Sequence, residues 1–458
     1  MNQILTLEYG KPIRTYRGRG VAKFFGNTRL PCQVWIMQVG NGGILIRCLF
    51  IPKNARALPF SSDLQIESLS GHIDCGLKFK TQGKLFLGRV TTRATGYNTI
   101  MLVGQEVIFE AKTVTSNNSF FKFSLVNFEF LGNEPAVRYL KKGSQTVEEH
   151  YLSLKLALPW GKVSIHPVSN STQILNRIKA QKGIAVTSEA LVCTLPRSNF
   201  PETVARLEEL CRLLSLSRGT KINWVSAESF DPGGNLTHVV LKNSITWPFS
   251  SLTLIDYRNP HDTPTFIEKV YPYYLKFRDT YNLDIAIEQC LDAKRETAYL
   301  ETRGLAAVAL IDSLQQLYAS GHRLTEIVKG FSKRKYRFRE YLKNFLTSSF
   351  PDIQSGELNE VLQKIPELNR RSFLNLLKEW TSDLGLQIPD SELSAIRDTR
   401  NSLAHSMRFK ATASHGKIRE YFRLINLINQ AFLKLLKYQG YYINVNLETL
   451  DFDRKELV

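Results

Sequence analysis

The apolar residues of this chain change their spacing part-way along it. Over about the first 140 residues they fall in short runs separated by Gly, Asn and Ser. There Phe121, Phe123 and Leu125 alternate with Lys122 and Ser124, as in a half-buried strand. From about residue 256 they recur at intervals of three and four, as on the buried side of a helix. The pattern predicts an α+β fold in which strands come first and helices last.

We predict three regions along the 458-residue chain. Residues 1–145 form a β-rich domain of roughly seven short strands, which is typical of a sandwich or a barrel-like module. Residues 146–258 are mixed α/β, with a helix over residues 202–216 and a turn at residues 231–235 between two strands. Residues 259–458 form an all-α helical bundle, because short connections join neighbouring helices of an antiparallel bundle.

Helical periodicity in the last region marks several separate helices. They are predicted over residues 284–318, with a break near Lys294, and over residues 358–364, 371–384, 392–407 and 417–438. The last of these carries one continuous apolar stripe, and Gly440 predicts where it ends.

The charge balance favours an anionic partner. The formal net charge is +18 and the pI is near 9.5, which suits nucleic acid or an acidic membrane surface without choosing between them. No apolar run approaches the roughly 18 residues of a membrane span, and the N-terminus lacks the pattern of a secretory signal. We therefore expect a cytoplasmic protein that does not bind a membrane. No zinc-type ligand spacing and no phosphate-binding loop motif occurs, so we expect neither a metal nor a cofactor.

Near the C-terminus, Arg400, Asn401 and His405 form an R-N-x-x-x-H motif within a predicted helix. Cleavage of RNA without a metal needs a group that moves a proton, and histidine titrates near neutrality. The guanidinium of an arginine can stabilise the negative charge that gathers on the phosphoryl oxygens. Asparagine, one turn before the histidine, can orient the imidazole or the phosphate. These residue types predict an RNA-cleaving site, although the spacing alone also arises by chance in basic proteins.

Helical geometry separates the sides of this segment. The predicted core residues are Leu393, Ile396, Leu403 and Met407. Arg397, Asn401 and His405 follow at intervals of four and form an adjoining polar stripe, in which Arg397 is a candidate RNA contact. Arg400 falls among the apolar positions, where an unpaired charge is costly. It therefore lies at an edge, in an interface, or against a phosphate or a carboxylate.

A second basic segment mixes cations with aromatic rings. Arg334, Lys335, Arg337 and Arg339 are its candidate RNA-binding residues. Such a run can hold phosphates and stack on unpaired bases. The alternative is a solvated basic face whose rings pack inward.

The segment from Ile396 to His405, followed by a long helix that ends near residues 435–444, resembles a HEPN domain. More narrowly, it is similar to the ApeA-like abortive-infection proteins of bacterial anti-phage defence, which join a β-rich region to a C-terminal HEPN module. The resemblance covers residues 260–445, and the R-x4–6-H motif of the family matches Arg400, Asn401 and His405.

The resemblance implies a metal-independent endoribonuclease that cuts cellular RNA such as tRNA. It implies a homodimer or higher oligomer in which two motif helices share one composite cleft. The trigger stays open between a phage-derived molecule, a nucleotide signal and relief of autoinhibition. The resemblance also implies an accessory acidic residue on an earlier helix, for which Glu301 and Asp312 are the candidates. Because some HEPN proteins are inactive, the alternative is a non-catalytic nucleic-acid-binding, dimerisation or regulatory protein.

Overall fold

A computed structural model of the chain has a large antiparallel β-sheet in its N-terminal half and helices in its C-terminal half. The predicted order of strands followed by helices is confirmed. The described residues are 12–25, 28–50, 66–92, 98–111, 120–142, 145–181, 183–194, 199–243, 252–324, 326–328 and 331–457.

The described residues contain seventeen strands, and the first fifteen of them belong to one sheet. The strands are β1 (Pro12–Phe24), β2 (Arg29–Val39), β3 (Ile44–Phe50), β4 (Ile66–Ile73), β5 (Lys78–Gln82), β6 (Phe86–Thr92), β7 (Asn98–Gly104), β8 (Glu106–Glu110), β9 (Phe120–Val126), β10 (Glu134–Lys142), β11 (Gln145–Leu158), β12 (Gly161–Pro167), β13 (Val186–Thr194), β14 (Asn223–Phe230), β15 (Leu236–Lys242), β16 (Gly440–Val445) and β17 (Phe452–Leu457). Hydrogen bonds join the fifteen in the order β10-β11-β12-β13-β9-β14-β15-β8-β5-β4-β1-β2-β3-β7-β6. The predicted boundary at residue 145 falls inside this sheet, which continues through the predicted mixed region.

β15 links the two halves of the sheet, because it pairs with β14 on one side and with β8 on the other. Its apolar residues are buried on both faces. Val239 and Leu241 belong to the core beneath the first half of the sheet, whereas Val240 belongs to a larger core that the helices share. A strand buried on both faces explains why this segment shows a continuous apolar run instead of an alternation.

The helices follow and interleave with the later strands. They are α1 (Ser171–Gln181), α2 (Phe200–Arg218), α3 (Asp262–Phe277), α4 (Leu283–Ala293), α5 (Leu300–Gly321), α6 (Phe331–Ser349), α7 (Ser355–Gln363), α8 (Ile365–Leu368), α9 (Phe373–Asp383), α10 (Asp390–Ser406) and α11 (Ser414–Leu435). The predicted helix over residues 284–318 corresponds to α4 and α5, and its predicted break near Lys294 is confirmed. α5 is central, since α4, α9, α10 and α11 all pack against it.

α2 connects the sheet to the bundle. Asn199 caps its first turn, and its buried residues Leu207, Leu210 and Leu214 lie in the shared core. The helix packs against β14 on one side and against α3 and α4 on the other. The second half of the sheet and the bundle therefore share one hydrophobic core, whereas the first half of the sheet has its own.

The prediction that the last region is all-α is wrong at its end. After α11 the chain forms the antiparallel hairpin of β16 and β17, in which Ile443 pairs with Arg454. Ile443 donates a backbone hydrogen bond to Leu254 (2.8 Å), and the Asn426 side chain of α11 bonds both backbone polar groups of Val445. The alternating residues around Tyr442 are typical of a strand.

Helices α6, α7 and α8 form an insertion between α5 and α9. α6 packs against α7 and α8, although none of its described side chains is fully buried. Asn369 closes the base of the insertion, because its side chain accepts from the Val328 backbone N–H (2.7 Å) and donates to the Val328 carbonyl (3.1 Å). Among the described helices, none is long and apolar enough to cross a membrane.

Candidate active site

α10 carries the R-N-x-x-x-H motif and packs against α5, α9 and α11. Leu393, Ile396 and Leu403 are buried, as predicted. The prediction that Met407 belongs to the core is wrong, since its side chain is 69 % exposed. Met407 adopts the left-handed conformation that ends the helix (φ 54°), and this reversal turns its side chain away from the apolar side.

Arg400 is paired with a carboxylate on α5. Its Nη2 lies 3.1 Å from Oδ2 of Asp312, and its Nη1 donates to Oδ1 of Asn401 at 3.3 Å. The guanidinium also lies over the ring of Phe373, with 5.4 Å between Cζ and the ring centroid. Both charged side chains are about one third exposed, at 28 % and 33 %. Of the partners that the sequence left open for Arg400, the structure supplies the carboxylate.

The Nε atom of Arg400 is buried and has no hydrogen-bond partner among the described residues. Guanidinium groups carry five N–H donors, and a buried donor without a partner costs about 1–3 kcal/mol. The ion pair with Asp312 therefore leaves part of the hydrogen-bonding capacity of Arg400 unused.

His405 lies in the last turn of α10, with an exposed side chain. Its imidazole contacts no hydrogen-bond partner within the described part of the chain. Asn401, also exposed, precedes it by one turn, but its side-chain oxygen accepts from Arg400. The structure therefore brings Arg400, Asn401 and Asp312 together and leaves His405 open to solvent.

Arg400 and His405 lie on different sides of α10. Five residues along a helix correspond to a rotation of about 140° and a rise of about 7.5 Å. Arg400 contacts α5 and α9, whereas His405 belongs to the exposed side. Within one chain, the two groups do not converge on a single point.

Glu301, the other acidic candidate, lies in the first turn of α5 and pairs with Lys417 of α11 (3.1 Å). The hydrogen bond from Lys417 lowers the pKa of the Glu301 carboxyl, and the positive charge of Arg408 contributes to the same shift. Arg408 follows directly after the end of α10 and is exposed. Glu301, Lys417 and Arg408 therefore form a charged group, and its member Arg408 follows the end of α10.

Sequence reasoning missed Arg408, Lys417 and Phe373. Arg408 and Lys417 could have been found from their closeness to His405 in sequence. Arg408 follows His405 by three residues, and Lys417 lies in the first turn of the next helix. Phe373 is 27 residues before Arg400, and no pattern in the sequence connects the two.

Gly304 of α5 packs closely against Leu403 of α10 and against Phe409, which follows that helix. A Cβ atom there would lie 2.7 Å from Cζ of Phe409 and 3.0 Å from Cδ1 of Leu403. Only a residue without a side chain fits this crossing. Gly304 therefore allows α5 and α10, which carry Asp312 and Arg400, to pack closely at this point.

Arg397 is a weaker candidate for an RNA contact than its position on the polar stripe suggested. Its guanidinium donates twice to Oδ1 of the adjacent Asp398, at 2.9 and 2.6 Å. Lys410 also pairs with Asp398 (3.1 Å), and these two hydrogen bonds, that from Arg397 first, lower the pKa of the Asp398 carboxyl. An RNA phosphate would have to compete with Asp398 for Arg397.

The four cations of the second basic segment lie on α6, apart from α10. Arg334, Lys335, Arg337 and Arg339 are exposed, and none of them pairs with a carboxylate in the described residues. The alternative with inward-packed rings is wrong for Tyr336 and Tyr341, which are both 72 % exposed, whereas Phe338 is 37 % exposed and contacts Phe331.

Comparison of the chain with protein-family models, with curated proteins and with solved structures finds no match. The motif residues and their contacts are therefore the basis for assigning a function. Within the described residues, no group of three or more His, Cys, Asp and Glu side chains is close enough together to hold a metal ion.

Proposed function

We propose that this protein is a metal-independent endoribonuclease of the HEPN class, active as a homodimer in anti-phage defence and cutting cellular RNA such as tRNA. The observation that carries the proposal is the environment of the motif. An exposed imidazole, with no hydrogen-bond partner among the described residues, lies on the same helix as a partly exposed arginine. Both groups are accessible to a phosphate, as such chemistry requires.

Each motif residue has one role in this proposal. His405 takes the proton of the 2′-hydroxyl or gives one to the leaving 5′-oxygen, Arg400 stabilises the charge on the phosphoryl oxygens, and Asn401 orients Arg400 through their 3.3 Å hydrogen bond. The products are a 2′,3′-cyclic phosphate and a free 5′-hydroxyl. Cations on α6, together with Arg408 and Lys417 near the motif, contribute to the affinity for the RNA backbone.

The geometry of α10 supports a composite dimer cleft. Because Arg400 and His405 are about 140° apart around the helix, one chain alone does not present both side chains on the same side of α10. Two α10 helices related by a twofold axis can combine the arginine of one protomer with the histidine of its partner. The exposed Met407, next to His405, provides apolar surface for such a contact.

A second candidate function has its own supporting observation. The ion pair with Asp312 neutralises Arg400, as expected if the arginine has a structural role in a non-catalytic nucleic-acid-binding or regulatory protein. That protein would share the basic surface but would not cut RNA.

One incubation separates the two candidates. The purified full-length protein is incubated with total tRNA in EDTA, and the RNA ends are mapped. The nuclease produces fragments that end in 2′,3′-cyclic phosphate, whereas the binding protein leaves the RNA intact at every concentration that saturates binding. Cleavage that requires an added divalent cation would contradict the proposed mechanism.

A further inference from the structure

The surface of α6 is unusual, because a helix of 19 residues has no buried residue among those described. Its sequence contains six Lys and Arg residues and a single Glu. Three large rings are also exposed: Tyr336 (72 %), Tyr341 (72 %) and Phe345 (52 %). Folded proteins rarely expose aromatic rings in groups unless the rings contact a ligand or a partner.

Four of these side chains follow one line along the helix. Arg334, Arg337, Tyr341 and Phe345 are separated by three, four and four residues, so they lie within about 80° of one another around α6 and span about 17 Å along it. We name these four residues the α6 stripe. Along the helix, the two arginines of the stripe come before its two aromatic residues.

Packing within the protein does not account for the stripe. The partly covered residues of α6 are Phe331, Leu342 and Leu346, which lie on the side that faces α7 and α8. Phe338 contacts Phe331 and belongs to this packed side. The rings of Tyr341 and Phe345 have no aromatic contact or hydrogen bond among the described residues, so neither is needed to hold α6 on the insertion.

We infer that the α6 stripe is a binding site for single-stranded RNA, in which unpaired bases stack on Tyr341 and Phe345 while Arg334 and Arg337 contact the adjoining phosphates. The inference rests on the proposed function in taking RNA as the ligand. Cations alone would bind any polyanion. Rings placed beside cations select a strand whose base faces are accessible, because in a duplex those faces are stacked on each other.

The place of the insertion connects this site with the motif. The insertion ends where α9 begins, at Phe373, and the ring of Phe373 lies beneath Arg400. RNA held on α6 would therefore be bound to the insertion, and the C-terminal end of the insertion continues into α9, which contacts Arg400. The stripe would determine which kind of RNA is presented, whereas the motif would carry out the cleavage.

The test measures binding without cleavage, in full-length protein with His405→Ala. A fluorescent single-stranded oligonucleotide and a duplex that contains it are titrated at several salt concentrations. Tyr341→Ala with Phe345→Ala should weaken single-strand binding about 10- to 100-fold, leave duplex binding unchanged and leave the salt slope unchanged. Arg334→Gln with Arg337→Gln should weaken binding to both RNAs and reduce the salt slope by roughly one to two.

Tyr139→Ala is the matched control, because Tyr139 is 70 % exposed on strand β10, which ends one edge of the sheet. This variant should bind both RNAs as the parent does. Single-strand affinity that is unchanged by loss of the two rings overturns the inference, and so does an equal loss for the duplex. A stripe that binds an acidic protein instead would give the first of these results.

Failure of the proposed function gives a different result. If the protein with the intact motif does not cut RNA but the ring variant loses single-strand binding, the nuclease is wrong and the α6 site stands. If the protein cuts RNA and the ring variant binds normally, the nuclease stands and the α6 site is wrong.

Discussion

Asp312 on α5 holds Arg400 on α10 through a contact of 3.1 Å between Oδ2 and Nη2. The two residues are 88 positions apart in the sequence, and both side chains are partly exposed. A phosphate that binds Arg400 must share the guanidinium with Asp312 or displace it. The ion pair therefore competes with RNA in the proposed mechanism.

Asp312→Asn should tighten RNA binding by up to about fivefold, because a partly exposed ion pair contributes about 0.2–1 kcal/mol. The measurement is the Kd for tRNA in a background with His405→Ala, which prevents cleavage. Asp390→Asn is the control, since it removes one negative charge from α10, the helix of Arg400, at a position 77 % exposed and paired with Lys378. Equal effects of the two changes would show that net charge alone is responsible.

His405→Ala should reduce RNA cleavage at least about 100-fold, because general acid–base catalysis contributes about 10²–10⁴ in rate. Stability should be nearly unchanged, since the side chain is exposed and has no hydrogen-bond partner among the described residues. The experiment compares cleavage rates in EDTA and urea unfolding curves of the two proteins. A variant that still cuts RNA at the normal rate would remove His405 from the mechanism.

Gly304→Ala should destabilise the protein by about 1–3 kcal/mol, because its Cβ would clash with Phe409 and Leu403 and overpack the crossing. This cost exceeds the gain of up to about 1 kcal/mol that alanine gives within a helix. Gly321→Ala is the control, since no atom lies within 4 Å of its added Cβ at the end of the same helix. The measurement is the urea midpoint, and a Gly304→Ala protein as stable as the control contradicts the close crossing.

Much of α10 could be predicted from the sequence, because its periodicity is strong. Buried Leu393, Ile396 and Leu403 follow from spacing alone, and so does the need of Arg400 for a partner. The identity of that partner could not be deduced, since Asp312 lies on another helix and its pairing depends on the tertiary structure. The prediction that Met407 is buried was wrong because its left-handed backbone conformation ends the helical spacing at that position.

The sheet was harder to predict than the bundle, for physical reasons. Strand pairing depends on residues far apart in sequence, as where Val239 pairs with Phe109. A strand such as β15, buried on both faces, loses the alternation that marks a surface strand. Local patterns therefore revealed individual strands but not that they form a single sheet.

Asp284→Asn should destabilise the protein by about 1.5–3 kcal/mol, the range for hydrogen bonds to a charged group. Asp284 accepts from Tyr274 and from Arg278 (2.6 and 3.0 Å), and Arg212 lies 3.5 Å away. Burial raises the pKa of the Asp284 carboxyl, but the hydrogen bonds from Tyr274 and Arg278 and the charges of both arginines outweigh it, so the net shift is downward.

A lowered pKa determines the sign of the pH dependence. The stabilisation from ionised Asp284 is fully present above its unfolded pKa of about 3.9 and is lost as the pH falls through its lower folded pKa. The difference in unfolding free energy between parent and Asp284→Asn should therefore be constant near neutrality and shrink below about pH 4. Urea unfolding at pH 7 and near pH 3 measures it, with Asp390→Asn as an exposed control. A difference that grows in acid contradicts the assignment.

Mixing two inactive variants tests whether the site is shared between protomers. In a twofold dimer that combines Arg400 of one protomer with His405 of its partner, neither Arg400→Gln nor His405→Ala alone has an intact site. A heterodimer of the two has one site with both residues intact and one with neither. Because random exchange makes half of the dimers mixed, the mixture should recover about a quarter of the parent activity. If each site used Arg400 and His405 of one chain, mixing would recover nothing. Sedimentation at micromolar concentration, with and without RNA, provides the control, because a protein that stays monomeric in both conditions cannot have the shared cleft.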